Sequence, residues 1–257
     1  MKKAIVAASF GCSIKDSRER YIETVENTLK DTYKDIDCFR VFTSEIIRKK
    51  LKREENLDID NMNSCLQKLK EKNYTHVYVS VTHVIPGYEY EKILRAVKEY
   101  KDCFEEIKTA RTFLDEQLGN DEINVIRSYI NTDLQDDEAV ILVGHGSGHD
   151  SHKYYERVEN LLKNHVKNSY VVNIEGNPFI DDIMDELKEK HARIYLYPLL
   201  IVSGDHALND IGSDDEASIK SKIAANGIDV KMFFTGLGEN QNAINLFVDR
   251  LNEILPV

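Results

Sequence analysis

The chain contains no tryptophan, four prolines and four cysteines in 257 residues. Cys12, Cys38, Cys65 and Cys103 all fall in the first half, and no pair has Cys-x-x-Cys spacing. That pattern argues against a disulfide framework or a thiolate zinc site and fits reduced thiols. No apolar run approaches the roughly 20 residues of a membrane span. The apolar stretch Ala4-Ile5-Val6-Ala7-Ala8 is shorter than the roughly 7–15 residues of a signal-peptide core, so a cytoplasmic protein is expected. Positive charge is also short: the net charge is −11. Nucleic acid and anionic membrane, which bind mainly through cations, are therefore not expected as partners. There is no Gly-x-x-x-x-Gly-Lys-Ser/Thr loop, so ATP-driven chemistry has no support. Residues 144–148 read Gly-x-Gly-x-Gly, but His149 stands where a dinucleotide fingerprint needs its last glycine, and Glu175 lies too far along for a ribose acid. Neither ATP nor NAD is expected.

What is present is an alternation of short apolar runs with longer amphipathic, charged segments, the pattern of βαβ units around mostly parallel sheets. Strands are expected at 3–9, 37–43, 76–82, 139–144, 170–175, 193–200 and 230–235. Helices are expected at 17–33, 44–55, 61–72, 88–100, 152–165, 180–191, 214–225 and 240–254, with Ser213 capping the seventh. Several strands are apolar at consecutive positions, as when helices cover both faces. The polar segment 118–137 reads as a junction. An internal echo supports a division there: Ala4-Ile5-Val6-Ala7-Ala8-Ser9-Phe10-Gly11 aligns with Ala139-Val140-Ile141-Leu142-Val143-Gly144-His145-Gly146 at an offset of 135. A second echo aligns residues 85–89 with 202–206 at an offset of 117. The expectation is two related, doubly wound α/β lobes, residues 1–125 and 126–257, with a cleft lined by the loops after the strands. The chain is compatible with a homo-oligomer.

Three motifs occupy such loops. In Val143-Gly144-His145-Gly146-Ser147-Gly148-His149 a buried strand delivers an imidazole between glycines that leave room for a large flat ligand; a plain glycine turn with an incidental histidine fits as well. Ser203-Gly204-Asp205-His206 and Ile174-Glu175-Gly176 place another imidazole and a carboxylate after two further strands. His145, Glu175 and His206 together suit a divalent first-row ion and leave coordination positions open. A site on one helix start, from His145, His149 and His152, is the weaker reading. The second echo sets Glu89 where the other half has His206, so an acid would face the metal across the cleft; a helix-start glutamate favoured by the macrodipole fits equally. His83 would line the cleft.

These residues resemble the anaerobic-type sirohydrochlorin cobalt chelatases, a class II family of tetrapyrrole chelatases. The resemblance is carried by Ser9-Phe10-Gly11 with Ser13, Phe42-Thr43-Ser44, His83 to Lys92, Gly144-His145-Gly146, Gly204-Asp205-His206-Ala207 and Gly236-Leu237-Gly238-Glu239-Asn240. It runs in order from residue 9 to residue 240. It implies a two-lobed enzyme that inserts Co²⁺, with Fe²⁺ or Ni²⁺ as alternatives, into sirohydrochlorin for cobalamin synthesis without ATP. By resemblance His145 and His206 bind the metal and accept pyrrole protons, Glu175 is the carboxylate ligand, and Glu89 is an auxiliary acid. Ser9, Phe10, Gly11, Ser13, His83, Gly144 and Gly146 would contact the pigment. Tyr88 stands where an acidic residue is common in the family. A carrier that binds pigment or metal without turnover is the alternative.

Overall fold

The computed structural model describes residues 1–256. Two four-stranded parallel sheets form from the apolar runs. The first comprises β1 (Lys3–Ser9), β2 (Asp37–Phe42), β3 (His76–Val81) and β4 (Glu106–Thr109) in the order β2-β1-β3-β4. The second comprises β5 (Glu138–Gly146), β6 (Ser169–Glu175), β7 (Arg193–Pro198) and β8 (Asp229–Met232) in the order β6-β5-β7-β8. The two orders are the same permutation. Lys3 pairs with His76 and Glu138 with Arg193, so the register preserves both offsets read from the sequence. The expected pair of related α/β lobes is what the chain forms.

Helices cover both faces of each sheet. They are α1 (Lys15–Ser17), continued through a π-helical stretch (Arg18–Glu23) into α2 (Thr24–Thr32), then α3 (Glu45–Glu55), α4 (Met62–Glu71) and α5 (Tyr88–Glu99). After these come α6 (Asn120–Tyr129), α7 (Lys153–Leu162), α8 (Ile180–Lys190), α9 (Ile219–Ala225) and α10 (Gln241–Asn252). Alternate strand residues sort into separate cores. Ala4, Val6 and Ala8 face a core private to the first lobe; Ala139, Ile141 and Val143 face one private to the second. Ile5 and Ala7 join Val140 and Leu142 in a core shared by the two lobes. The C-terminal α10 closes that shared core against the first lobe: Arg250 forms a buried ion pair with Glu122 and donates to the Phe113 carbonyl at 2.8 Å.

Several elements differ from expectation. The polar junction contains α6, because Ile123, Ile126 and Tyr129 recur at helical spacing and bury one side of it. Residues 125 and 126 lie inside this helix. β4 was not expected; its four residues, Glu-Ile-Lys-Thr, are too few and too polar to announce a strand, and it takes an edge position. The seventh expected helix begins only at Ile219, capped by Ser218, whose hydroxyl accepts from the Ser221 N–H at 3.1 Å; Ser213 is no helix cap.

Candidate active site

Because all strands of both sheets run parallel, their C-terminal ends gather the loops that follow them on one side of each sheet. β5 ends on Gly144-His145-Gly146. Gly146 has φ +82°, and a β-carbon there would sit 1.5 Å from the Glu175 carbonyl oxygen. A β-carbon on Gly144 would meet the Tyr155 ring at 2.4 Å and Asn173 at 2.6 Å. The glycines therefore let strand and helix close on one another; the space expected for a flat ligand beside them is filled by protein.

His145 falls on the same alternation of β5 as Ala139, Ile141 and Val143. His206 precedes a π-helical turn (Ala207–Ile211) after β7. The two rings meet edge to face with centroids 4.7 Å apart. Their hydrogen bonds fix the tautomers. His145 Nδ1 lies 3.2 Å from the Gly146 carbonyl, and His206 Nδ1 lies 2.7 Å from an Asp210 carboxylate oxygen. Both partners only accept, so both Nδ1 atoms carry the proton and both Nε2 atoms are left with a free lone pair.

The other two histidines of the glycine loop have the opposite arrangement. His149 Nδ1 accepts from the Ser151 N–H at 3.1 Å and its Nε2–H donates to Glu91 at 3.1 Å. His152 Nδ1 accepts from the Ser147 N–H at 3.2 Å and its Nε2–H donates to the Asn177 carbonyl. With both nitrogens of each ring engaged, the site on one helix start from His145, His149 and His152 does not form. His149 instead fastens the lobes: Tyr88 packs edge to face on it at 5.0 Å and donates to the Gly148 carbonyl at 3.3 Å.

The remaining candidates divide between the lobes. Glu175 is exposed at the end of β6, and among the described residues no third His, Cys, Asp or Glu completes a cluster with the two histidines. At the corresponding end of the first sheet, Ser9, Thr43 and His83 gather. Thr43 N–H donates to the Ser9 carbonyl at 2.9 Å, and the Thr43 hydroxyl lies 3.2 Å from His83 Nε2. The Ser9 hydroxyl and His83 Nδ1 are buried and have no partner within the protein. Burial, helped by the nearby Lys92 charge, holds the His83 imidazolium pKa down at about 4, so the ring is neutral near pH 7. Glu89 gives one oxygen to Lys92 at 2.5 Å, while its Oε2 is buried without a partner. Phe10 is 45% exposed, Ser13 half-buried, and Gly11 takes φ +102° against the Phe42 ring.

Sequence reasoning gave no role to Asp210, Thr43 or the Tyr88–His149 contact. Asp210 was within reach of it, since a carboxylate four residues after a histidine in a helical turn shares its face. The contact across the lobes had no such local signal. The lobes are also joined by Ser17 donating to the Ser203 carbonyl at 3.1 Å and by an Arg20–Glu239 ion pair at 2.6 Å.

The chain is similar over its full length to proteins of known activity. The family model for cobalt chelatase (CbiK) matches residues 3–256. The sirohydrochlorin cobaltochelatase of Salmonella typhimurium is 34% identical over 258 residues, spanning 99% of this chain and 97% of the relative. Sirohydrochlorin cobaltochelatase CbiKC of Nitratidesulfovibrio vulgaris is 26% identical, spanning 97% and 89%. Among solved structures, SirB from Bacillus subtilis with Fe³⁺ superposes with a TM-score of 0.66 at 16% identity, over 98% of this chain and 95% of that one. This last likeness concerns the fold. The chain belongs to the cobalt chelatase (CbiK) family.

Proposed function

We propose that the protein is a sirohydrochlorin cobaltochelatase, which inserts Co²⁺ into the macrocycle without ATP and releases two protons. The observation that carries this reading is the pair of histidines whose Nε2 lone pairs are both free at one strand-end site. Metallation exchanges one divalent ion for two pyrrole protons. Two imidazoles match that stoichiometry: each releases the ion from Nε2 as the pyrrole nitrogens capture it, and each can then hold a departing proton at the same atom. A site of imidazoles and one carboxylate, without thiolates, suits Co²⁺ and holds it less firmly than a soft thiolate set, which favours release. Fe²⁺ and Ni²⁺ suit the same ligands.

Glu175, on an exposed strand end in register with Gly146, supplies the carboxylate ligand by turning toward the histidines. Asp210 holds His206 in the tautomer that offers Nε2 to the ion, the arrangement common behind metal-bound histidines. On the first lobe, the unpartnered Ser9 hydroxyl, His83 Nδ1 and Glu89 Oε2 are polar atoms for the pigment to satisfy. Its apolar ring also has partners. Phe10, Ile46, Tyr88, Phe179, Leu208 and Phe234 are exposed, and each lies between a strand end and the first turn of the next helical segment. Met1 and Leu94 are exposed elsewhere, so six of the eight exposed large apolar side chains among the described residues stand at strand ends, where they suit the apolar ring.

The test is anaerobic multiple-turnover absorbance with sirohydrochlorin and Co²⁺. The wild type should metallate many equivalents, and His145→Ala and His206→Ala should each lose turnover while keeping the native circular dichroism spectrum. Stoichiometric pigment binding with no rate above background would replace the enzyme with a carrier.

A further inference from the structure

A pigment rich in carboxylates must bind a chain of net charge −11, so cations have to be set at the cleft. In the first lobe most nearby cations are already engaged. Arg18 pairs with Glu55 at 2.5 Å, Lys49 with Glu45 at 2.6 Å, and Arg48 donates to the Ile59 carbonyl at 2.8 Å. Lys92 is placed differently. It lies in the second turn of α5, the helix that follows β3 and His83, and its side chain is 47% exposed. Its positive charge joins burial in holding the His83 imidazolium pKa down. Its one carboxylate partner is Glu89, whose other oxygen is buried with no donor.

We infer that Lys92 is a specificity-determining residue that recognises a peripheral carboxylate of the tetrapyrrole and, on doing so, releases Glu89 to the pigment. This rests on the chelatase reading above. The step is an exchange of ion pairs: the substrate carboxylate replaces Glu89 on the ammonium, and both Glu89 oxygens become acceptors for pyrrole N–H groups. A carboxylate arriving from solvent can reach a half-exposed ammonium without opening the core. Holding Glu89 on Lys92 until then keeps its charge compensated in the empty cleft.

The experiment compares wild type, Lys92→Met and Lys92→Arg in the same turnover assay, with sirohydrochlorin and with its fully esterified, uncharged form as a binding probe. Lys92→Met should raise the KM for sirohydrochlorin about tenfold or more, the range for loss of one charged hydrogen bond, and leave the KM for Co²⁺ unchanged. The KM should also become less sensitive to salt. Lys92→Arg should restore most of the loss, and the esterified pigment, which has no carboxylate to exchange for Glu89, should bind Lys92→Met no more weakly than wild type. An unchanged KM for sirohydrochlorin in Lys92→Met, or an equal loss with the ester, would overturn the inference. A wild type that does not metallate would instead overturn the chelatase reading itself.

Discussion

At the scale of single residues, the proposed chemistry turns on which nitrogen each imidazole leaves free. His145 and His206 give Nδ1–H to fixed acceptors, whereas His149 and His152 give Nε2–H away. For His206 the sequence carries a cue in Asp210 four residues on, but the partners of His145, His149 and His152 are backbone groups or groups distant in the chain and have no such cue. His83 is a third kind, buried and neutral. Its imidazolium pKa is lowered from 6.5 to about 4 by burial, so between those values the unfolded chain takes up a proton that the folded chain refuses. Stability is therefore expected to fall as pH drops from about 6.5 to about 4, by up to roughly 3 kcal/mol from this group, with no further slope from it below. Denaturant unfolding at several pH values, beside His83→Gln, checks this. The variant should have the shallower acid slope, and equal slopes would show that His83 does not carry it.

At the scale of elements, the strands and most helices were legible because each carries its own period. β1, β5 and β7 are continuous apolar runs, and α5 and α7 place apolar residues on one side. The misses have physical reasons. β4 is a short polar edge, and α6 owes its stability to a buried side packed against α10, which lies more than a hundred residues along the chain. The candidate metal ligands His145, Glu175 and His206 were legible as strand-end residues, but the meaning of the glycines was not: they accommodate Tyr155 and the Glu175 backbone. The π-helical turn after β7 sets His206 and Asp210 four residues apart on one side. Asp210→Ala is therefore expected to raise the KM for Co²⁺ by about 10- to 100-fold, the usual effect of losing the partner of a metal-bound histidine. The KM for sirohydrochlorin and the thermal midpoint should stay unchanged. Equal KM values for Co²⁺ in wild type and variant would remove Asp210 from the site.

At the scale of the whole molecule, two copies of one strand order share a core and are tied across their loops. The internal echo made the repetition legible from sequence. It did not reveal that the last helix returns to the first lobe, where a buried ion pair joins its apolar side in holding it. Arg250 and Glu122 are 1% and 3% exposed and 2.5 Å apart. Removing Arg250 takes the nearer cation from buried Glu122 and leaves Arg111 at 3.5 Å, so Arg250→Ala should destabilise the protein by about 3 kcal/mol in chemical denaturation. A loss below about 1 kcal/mol, the scale of a surface pair, would mean that α10 is held by its apolar side alone.

The joint presentation of Nε2 by His145 and His206 is tested most directly by X-ray absorption at the cobalt edge, on protein loaded anaerobically with one equivalent of Co²⁺. Two imidazoles should be bound in the wild type and one in each of His145→Ala and His206→Ala. Two imidazoles in either variant, or none in the wild type, would contradict the assignment of the metal to this pair.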